Sequence, residues 1–439
     1  MKGPKMAYEK DGYPVELANK VGHIKLIQDP TIQRMVEAFE DTNPPPAGTY
    51  PPPTGRVSLD GECPIDQVIT VDGGHQAVPN IVRPERQVGF VQVAVQMVKM
   101  ETIEYLRQNP MADPREVQQM LGQYTHHILA VLPVVGVHIP GLSVRQSLRE
   151  AIHRFVMHYE LYPVLRFLVY RLWEEQLTDS PAMDCLACGM RFDLPRGSLR
   201  FLCPACKHEH RLSDYLGLCD QDSEDRSTAE TVSNLRAVLE VLALFALIVR
   251  FRDRDAIMSR TLFLLDGPLI LRAQLSRLVE PIRALIEHQR ESGKPLYLVG
   301  VEKSGEFRHF ADSYSLFLTE PGDFFLPDVQ FLLEQVNGRS FHAETYRNRV
   351  NYGAKLVVRL GTHHVIALNV PTGNFSLSPT VNDLVGFEAS VRCLSRLLSY
   401  RYENALIPLV LANTAASISN QPSGSILSQF VERILHAAR

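Results

Sequence analysis

A strand–helix–strand pattern in the second half of the chain constrains the fold more than any other feature. The apolar run TLFLLDGPLI (261–270) is followed by the helical stretch LRAQLSRLVEPIRALIEHQRES (271–292), and PLYLVGVEK then returns to strand-like residues. Two strands joined through a helix lie parallel in one sheet with a right-handed crossover. The pattern therefore predicts a βαβ unit and an α/β fold.

Further segments extend this sheet. VITVDGG (68–74) takes a second apolar run to an aspartate and glycine, and GFVQVAVQMVKM (89–100) alternates as a neighbouring strand, so a hairpin is predicted. From about 114 to 178 the pattern is helical. Additional strands are predicted at SYSLFLT, AKLVVRLG and HHVIALNV, and helices at 384–400 and 424–437. Together these segments predict a mixed α/β sheet flanked by helices and interrupted by an insertion.

Length and composition limit the classes of function. At 439 residues, with 45% hydrophobic and 21% charged residues, the chain is long enough for one large globular domain with additions or for two domains. The net charge of -4 gives no global electrostatic attraction for nucleic acid, so any DNA contact must be local. The N-terminus lacks a signal peptide, and VLALFALIV (241–249) is too short to span a bilayer. We therefore expect a cytoplasmic protein with no membrane contact.

Proline and cysteine mark the boundaries between segments. Residues 41–58 form a semi-rigid linker, because their PPP runs favour polyproline geometry. Residues 1–40 are predicted to form an N-terminal arm, in which Ile32, Met35, Val36 and Phe39 predict one apolar helix face that either docks on a partner or folds back. The core comprises 59–182, which includes the helical region, and 228–439, with a small module inserted at 183–212.

Four cysteines in two CxxC pairs define the inserted module. Cys185 and Cys188, then Cys203 and Cys206, can converge tetrahedrally on Zn²⁺ and fold a segment that lacks a core of its own. Four protein ligands leave no open position, so the zinc is expected to be structural. A redox CxxC or free thiols are the alternatives. Two histidines, His208 and His210, could replace a thiolate but are expected at the surface.

Asp72 and Asp266 each follow an apolar run and precede glycine. One such Asp-Gly pair usually marks a turn. Two of them in one sheet favour a functional edge, because functional residues gather at the carboxyl ends of strands. A pair of carboxylates can bind divalent metal that polarises a phosphodiester and activates water. Glu240, on the adjacent apolar helix, is the candidate third ligand, and a helix-surface salt bridge to Arg236 is its alternative role.

In order along the chain, ITVDGG, NLRAVLEVLAL, FLLDGPL and LVGVEKSG resemble the motifs of the NurA nuclease family. YRYENALIPLVLAN is similar to the final segment of that family. The motifs cover most of residues 64–425, apart from the zinc insertion and part of the helical region before it. The resemblance implies an RNase H-like core that works with the hexameric HerA ATPase.

The resemblance also implies a catalytic metal site. Asp72, Glu240 and Asp266 fall at the positions of the family's ligands for Mn²⁺ or Mg²⁺. Glu230, in the same helical region, is the reserve candidate for the third acidic ligand. One metal between the two aspartates would position and deprotonate water, while a second, shared with Glu240, would stabilise the leaving oxygen.

Three further positions follow from the resemblance. Tyr402 falls at the family's tyrosine, whereas Asn413 occupies the position of the family's histidine. Asparagine can ligate a hard metal through its carbonyl oxygen but cannot act as an acid or base. Lys303 would contact a phosphate, and an exposed lysine without a role is the alternative.

The implied function is a metal-dependent deoxyribonuclease with single-strand endonuclease and 5′ to 3′ exonuclease activity. Its expected setting is DNA end processing or antiphage defence, as a homodimer acting with a HerA-type ATPase. A catalytically impaired scaffold that binds DNA or the ATPase through the zinc ribbon and N-terminal arm is the alternative. Asn413 favours the scaffold, while the three acidic residues favour the enzyme. A haloacid-dehalogenase-type phosphatase would need a second aspartate where this chain has Pro268.

Overall fold

The structure is a computed structural model that describes residues 29–37, 50–79, 86–109, 125–175, 180–220, 228–343, 350–399, 405–418, 427, 429–431 and 433. The chain divides into two compact units, Met1–Thr49 and Tyr50–Arg439. In the first unit, helix α1 (Pro30–Glu37) begins after Asp29, whose Oδ1 accepts from the backbone N–H of Thr31 at 2.7 Å. Ile32 and Met35 are exposed on this helix, and Phe39 lies outside the described residues.

The second unit contains a large sheet and two small hairpins. Its described strands are β1 (Gly55–Arg56), β2 (Gln67–Pro79), β3 (Gln87–Lys99), β4 (Thr125–Val135), β5 (Ala182–Asp184), β6 (Arg191–Asp193), β7 (Arg200–Leu202), β8 (Glu209–Arg211), β9 (Thr261–Asp266), β10 (Tyr297–Glu302), β11 (Asp323–Phe325), β12 (Gly353–Gly361) and β13 (His364–Pro371). Strands β5 with β6, and β7 with β8, form the hairpins of the inserted module.

Helices connect these strands and cover the large sheet. They are α2 (Met100–Gln108), α3 (Val144–His158), α4 (Tyr162–Val169), α5 (Thr228–Phe251), α6 (Asp255–Met258), α7 (Val279–Glu291), α8 (Glu306–Tyr314), α9 (Val329–Phe331), α10 (Phe387–Ser395) and α11 (Ile407–Ala416). Short 3₁₀ turns lie at Leu212–Leu216, Ala273–Leu278, Ser315–Phe317 and Val381–Asp383, and a π-helical turn at Leu332–Val336. The predicted helix at 424–437 falls largely outside the described residues.

The large sheet is mixed, as predicted. Its nine strands run in the order β1-β11-β12-β13-β10-β9-β2-β3-β4. Strand β9 lies parallel to both β2 and β10, while the other neighbours are antiparallel. The predicted βαβ unit is confirmed, because α7 links β9 to β10, and the predicted hairpin of β2 and β3 is confirmed as well.

Strand β9 is apolar because both of its faces are buried. Phe263 and Leu265 pack in the core cluster that contains α5, and Leu262 and Leu264 pack in the cluster of the opposite face. Full burial of one such side chain stabilises a fold by about 1.5–3 kcal/mol. Helix α5 is long and apolar enough to cross a membrane over Ala229–Phe251, yet 61% of its most apolar window is buried inside the protein. It is a core helix of this domain.

Part of the predicted helical region is a strand. Between Thr125 and Val135 the chain forms β4, in which Ile128, Ala130 and Leu132 are buried and Leu129 is 51% exposed. The burial alternates with a period of two, which is the period of a strand with one exposed face. Long-range pairing with β3 therefore decides the structure here, and the prediction of helix was wrong for these residues.

The predicted strand SYSLFLT was also wrong. Tyr314 ends helix α8, and Ser315–Phe317 forms a 3₁₀ turn. Phe307, Phe310, Ala311 and Tyr314 lie on one buried helix face, at the spacing of an amphipathic helix. The apolar pattern that suggested a strand is thus the end of a helix and its following turn.

Candidate functional site

Asp72 lies at the place where the neighbouring parallel strand ends. Strands β2 and β9 pair up to Val71 and Leu265, and Asp266 is the last residue of β9. Strand β2 continues to Pro79, because β3 pairs with it throughout and Ala94 lies opposite Asp72. The expectation that the aspartate ends its strand was therefore right for β9 and wrong for β2.

The two glycines after Asp72 belong to the strand and allow close approach on both of its faces. A Cβ atom at Gly73 would lie 2.4 Å from Glu240 Oε1 on α5. A Cβ atom at Gly74 would lie 2.3 Å from the carbonyl oxygen of Ala416 at the end of α11. Side chains at these positions would displace the glutamate or the helix, so the Gly-Gly pair positions both elements around β2.

Asp72, Asp266 and Glu240 form a carboxylate cluster. Burial raises the pKa of Asp72 to about 7; the negative charge of Asp266 and a hydrogen bond between the two carboxyl groups add to the shift, against the opposing charge of Lys303. Burial raises the pKa of Glu240 to about 8, and Asp72 and Asp266 add to it against the opposing effect of Arg236. The three carboxyl groups therefore interact electrostatically, although they come from β2, α5 and β9.

One oxygen in the cluster is a buried acceptor without a donor among the described residues. Asp72 Oδ1 accepts from the backbone N–H of Gly73 at 2.7 Å, whereas Oδ2 is buried without a hydrogen bond. A buried ionised oxygen without compensation is energetically costly. Carboxylate oxygens are the ligands that Mg²⁺ and Mn²⁺ prefer, so the donor set suits a hard divalent cation. Among the described residues, however, only the four cysteines bring three or more ligand atoms within 4.8 Å of one another, so the carboxyl groups would have to move closer to share one ion.

Two basic side chains balance the cluster. Lys303 Nζ lies 2.6 Å from Asp266 Oδ2, and this lysine side chain is 38% exposed. Arg236 Nη1 lies 2.5 Å from Glu240 Oε1 and 3.4 Å from the carbonyl oxygen of Gly73. The salt bridge that the i−4 spacing offered as an alternative for Glu240 is thus present, together with the contact of that glutamate with the cluster.

The other candidate residues are Glu230, Asn413 and Tyr402, and no contact joins the first two to the carboxylate cluster among the interactions of the described residues. Glu230 is exposed in the first turn of α5, and ten residues of α-helix place it about 15 Å along the axis from Glu240. Asn413 is exposed on α11, whose end contacts the sheet because Gln92 Nε2 donates to the carbonyl of Ala415 at 2.6 Å. Tyr402 lies outside the described residues.

Tyr352 is a buried residue near the carboxylate cluster, and no sequence pattern predicts a role for it. Its side chain is fully buried, and its hydroxyl has no hydrogen bond among the described residues. Burial raises its pKa, and the negative charge of Glu240 adds to the shift. Its ring lies 6.2 Å from that of Phe245 on α5. No local pattern marks this tyrosine, because only the tertiary fold brings it beside α5.

Four sulfur atoms meet in the inserted module. The Sγ atoms of Cys185, Cys188, Cys203 and Cys206 all lie within 4.8 Å of one another. The residue after each CxxC pair has a left-handed backbone, Gly189 at a φ of 73° and Lys207 at 61°. This conformation turns both loops inward, and the resulting four-sulfur donor set fits tetrahedral Zn²⁺.

One histidine belongs to the interior of this module. His210 was expected at the surface, but it is fully buried and its Nε2 lies 3.3 Å from Cys185 Sγ. Its ring packs against Phe192 and Phe201, with centroids 5.4 and 5.9 Å away. The surface expectation was wrong because β8 alternates, and His210 is its inward-facing residue.

Comparison with known proteins gives limited information. No family model matches the chain, and no curated protein matches it. Among solved structures, the NurA nuclease from Sulfolobus solfataricus is similar over 88% of each chain, with 13% sequence identity and a TM-score of 0.35. At these values the likeness assigns no role to any residue, and the candidate sites depend on their own geometry.

Proposed function

We propose that this chain is a metal-dependent DNA nuclease in which Asp72, Glu240 and Asp266 hold Mn²⁺ or Mg²⁺. The observation that carries the proposal is the buried, unpartnered Oδ2 of Asp72 beside the other two carboxyl groups. Three carboxyl groups in a buried site repel one another when ionised, and two of them have raised pKa values. A divalent cation would relieve this repulsion and give the orphaned oxygen a partner.

The chemistry divides between metal and protein. A bound divalent cation lowers the pKa of a coordinated water and stabilises charge on a phosphodiester. Asp72 and Asp266 orient the site from adjacent strands, and Glu240 reaches it over Gly73. Lys303, once released from Asp266, can donate to a phosphate oxygen. The rim of the site thus supplies both ligands and a positive charge for the substrate.

The finer assignments follow the sequence resemblance to the NurA family. They comprise an RNase H-like core, Tyr402 and Asn413 in the site, and Glu240 rather than Glu230 as the third acidic ligand. The substrate would be DNA, cut by single-strand endonuclease and 5′ to 3′ exonuclease activity in end processing or antiphage defence. A hexameric HerA-type ATPase would deliver the DNA to a cytoplasmic homodimer. The net charge of -4 supports a nuclease that a motor supplies with substrate.

The test is cleavage of 5′-labelled single-stranded DNA in Mn²⁺, with and without the ATPase. We expect Asp72→Asn and Asp266→Asn to lose cleavage by more than about 100-fold, since loss of a partner of a metal ligand alone costs 10–100-fold. Asp253→Asn is the matched control, because this exposed aspartate pairs with Lys294 elsewhere on the surface. Equal cleavage by all variants would show that these aspartates are not catalytic, and no cleavage by the unsubstituted protein would favour the scaffold.

A further inference from the structure

The interior of the inserted module contains a polar chain that leads away from the four cysteines. His210 Nε2 lies 3.3 Å from Cys185 Sγ, and Nδ1 of the same ring lies 3.6 Å from Asp214 Oδ2. Both side chains are almost fully buried. Burial of a polar ring among aromatic side chains costs free energy of folding unless its nitrogens have hydrogen-bond partners. The sulfur of Cys185 is within hydrogen-bond reach of Nε2, whereas Nδ1 faces the carboxylate without a hydrogen bond among the described residues.

Helix α3 fixes the far end of this chain. Arg149 donates to Asp214 in a two-pronged arrangement, with Nε 2.8 Å from Oδ1 and Nη2 2.8 Å from Oδ2. The backbone N–H of Arg211 also donates to Asp214 Oδ2 at 2.8 Å. Such bidentate pairs hold both side chains in one orientation. The carboxylate beside His210 is therefore fixed by the core helix and by β8.

The ring of His210 has little freedom to turn. It is stacked on Phe201, with an interplanar angle of 17°, and it packs against Phe192 on the other hairpin. These aromatic contacts keep Nε2 directed at Cys185. Four thiolates on one Zn²⁺ carry excess negative charge, which an N–H donor to sulfur offsets. Second-shell donors of this kind orient the ligands and raise metal affinity.

We propose that His210 is a positioning residue of the zinc site, which donates its Nε2–H to the Cys185 thiolate from a ring held by Phe192 and Phe201 beside the Asp214 carboxylate that Arg149 fixes to α3. The metal and the packing of the module against the core are then coupled. Removal of the metal loosens the contact with α3, and loss of the anchor weakens the metal site. His210 is not a ligand itself, because four sulfurs already complete a tetrahedral shell.

The test measures zinc directly in the full-length protein and does not involve cleavage of DNA. Zinc content is measured first, and zinc affinity follows by competition with a chromophoric chelator. His210→Phe keeps an aromatic ring at this position and removes the donor, so we expect affinity to fall about 10-fold or more. His210→Gln retains an N–H donor and should restore most of the loss. His208→Phe is the matched control, since this half-buried neighbour lies 4.9 Å from the His210 ring and should leave affinity unchanged.

Two further measurements separate the possible outcomes. Arg149→Met leaves the cysteines and His210 in place, and it should weaken zinc binding less than His210→Phe but more than His208→Phe. X-ray absorption at the zinc edge should show four sulfur neighbours in the unsubstituted protein and in His210→Gln. A nitrogen neighbour that disappears in the His210 variants would make His210 a ligand and overturn the proposal. Equal zinc affinity in His210→Phe and His208→Phe would also overturn it, and a protein without zinc would overturn the four-cysteine site as well.

Discussion

The carboxylate cluster and the cysteine cluster are assembled in opposite ways. The four cysteines lie close together in sequence on two short hairpins, and their sulfur atoms meet within this one segment of the chain. Asp72, Glu240 and Asp266 come from two strands and a helix, and they meet only because the sheet places β2 beside β9. The four cysteines supply all the ligands of a tetrahedral metal and leave no position for a substrate. In the carboxylate cluster, by contrast, one oxygen of Asp72 has no hydrogen bond, and Glu240 and Asp266 are paired with basic side chains that a metal could displace. The first arrangement suits a structural metal and the second suits chemistry on a substrate.

The largest effect is expected from removing one cysteine of the four-sulfur cluster. Cys203 is buried in the main core cluster, so Cys203→Ser should abolish stoichiometric zinc binding and unfold the inserted module. Structural zinc contributes about 10–16 kcal/mol to the folding of zinc-finger peptides, so the local loss is large. Zinc content and hydrogen exchange across 183–212 check this. Cys219→Ser is the control, because this buried cysteine lies outside the four-sulfur cluster. Retained zinc in Cys203→Ser would contradict the account.

The next prediction compares substitutions on the two faces of β2. Gly73→Ala should push the Glu240 carboxylate away and weaken Mn²⁺ binding about 10-fold, with little change in stability. Gly74→Ala should instead meet the backbone of α11 and destabilise the fold by about 1–3 kcal/mol. Calorimetric titration with Mn²⁺ and chemical denaturation check the two results. Gly361→Ala is the control, because its nearest neighbour is the flexible side chain of Leu398. Equal effects of both substitutions would contradict the division of roles.

A pH effect should occur in the carboxylate cluster of the metal-free protein. Asp72 and Glu240 hold protons more tightly when folded, with pKa values of about 7 and 8 against 3.8 and 4.5 unfolded. Their contribution to stability is therefore complete below about pH 4, is lost progressively as pH rises, and is gone above about pH 8. The denaturation midpoint of the metal-free protein should therefore fall as pH rises across this window. Asp72→Asn should make this fall with pH smaller. Mn²⁺ affinity should rise over the same window, since the metal displaces protons. A stability that rises from pH 4 to 8 in both proteins would contradict the raised pKa values.

The smallest effect concerns the basic partner of Asp266. Lys303→Met frees this carboxylate, and because exposed ion pairs contribute about 0–1 kcal/mol, Mn²⁺ affinity should rise by no more than about fivefold. Cleavage of DNA should fall, since a charge for the phosphate is lost. Lys294→Met, which removes the partner of Asp253, is the control. Unchanged metal affinity with unchanged cleavage would leave Lys303 as a surface lysine without a role.

Local patterns explain what the sequence could predict. The spacing of the cysteines and the βαβ pattern depend on neighbouring residues, and the hairpin of β2 and β3 depends on two adjacent runs. Asp266 was placed correctly at the end of a strand, because the apolar run stops there. In each case the information lies within a short stretch of chain.

The errors have a common physical cause in tertiary contacts. The course of β2 through Asp72 depends on pairing with β3, and β4 is a strand only because it extends the same sheet. Likewise, His210 is buried by the aromatic rings of both hairpins, and Tyr352 meets α5 only in the fold. Alternation of polar and apolar residues was the available signal for both strands. The segment EHR (β8) is too short to be distinguished from a loop, and in THHILAVLPVV (β4) the alternation is too irregular to exclude a helix.

The most direct test of the carboxylate cluster is an anomalous diffraction map from crystals soaked in Mn²⁺ at about pH 8, where both raised pKa values favour displacement of protons. The account predicts a manganese peak bound by Asp72 and Asp266, at the roughly 2.0–2.6 Å typical of oxygen ligands to divalent cations, with Lys303 displaced from Asp266. Absence of a peak there, with the contact between Lys303 and Asp266 intact, would contradict the claim that this cluster is a catalytic metal site.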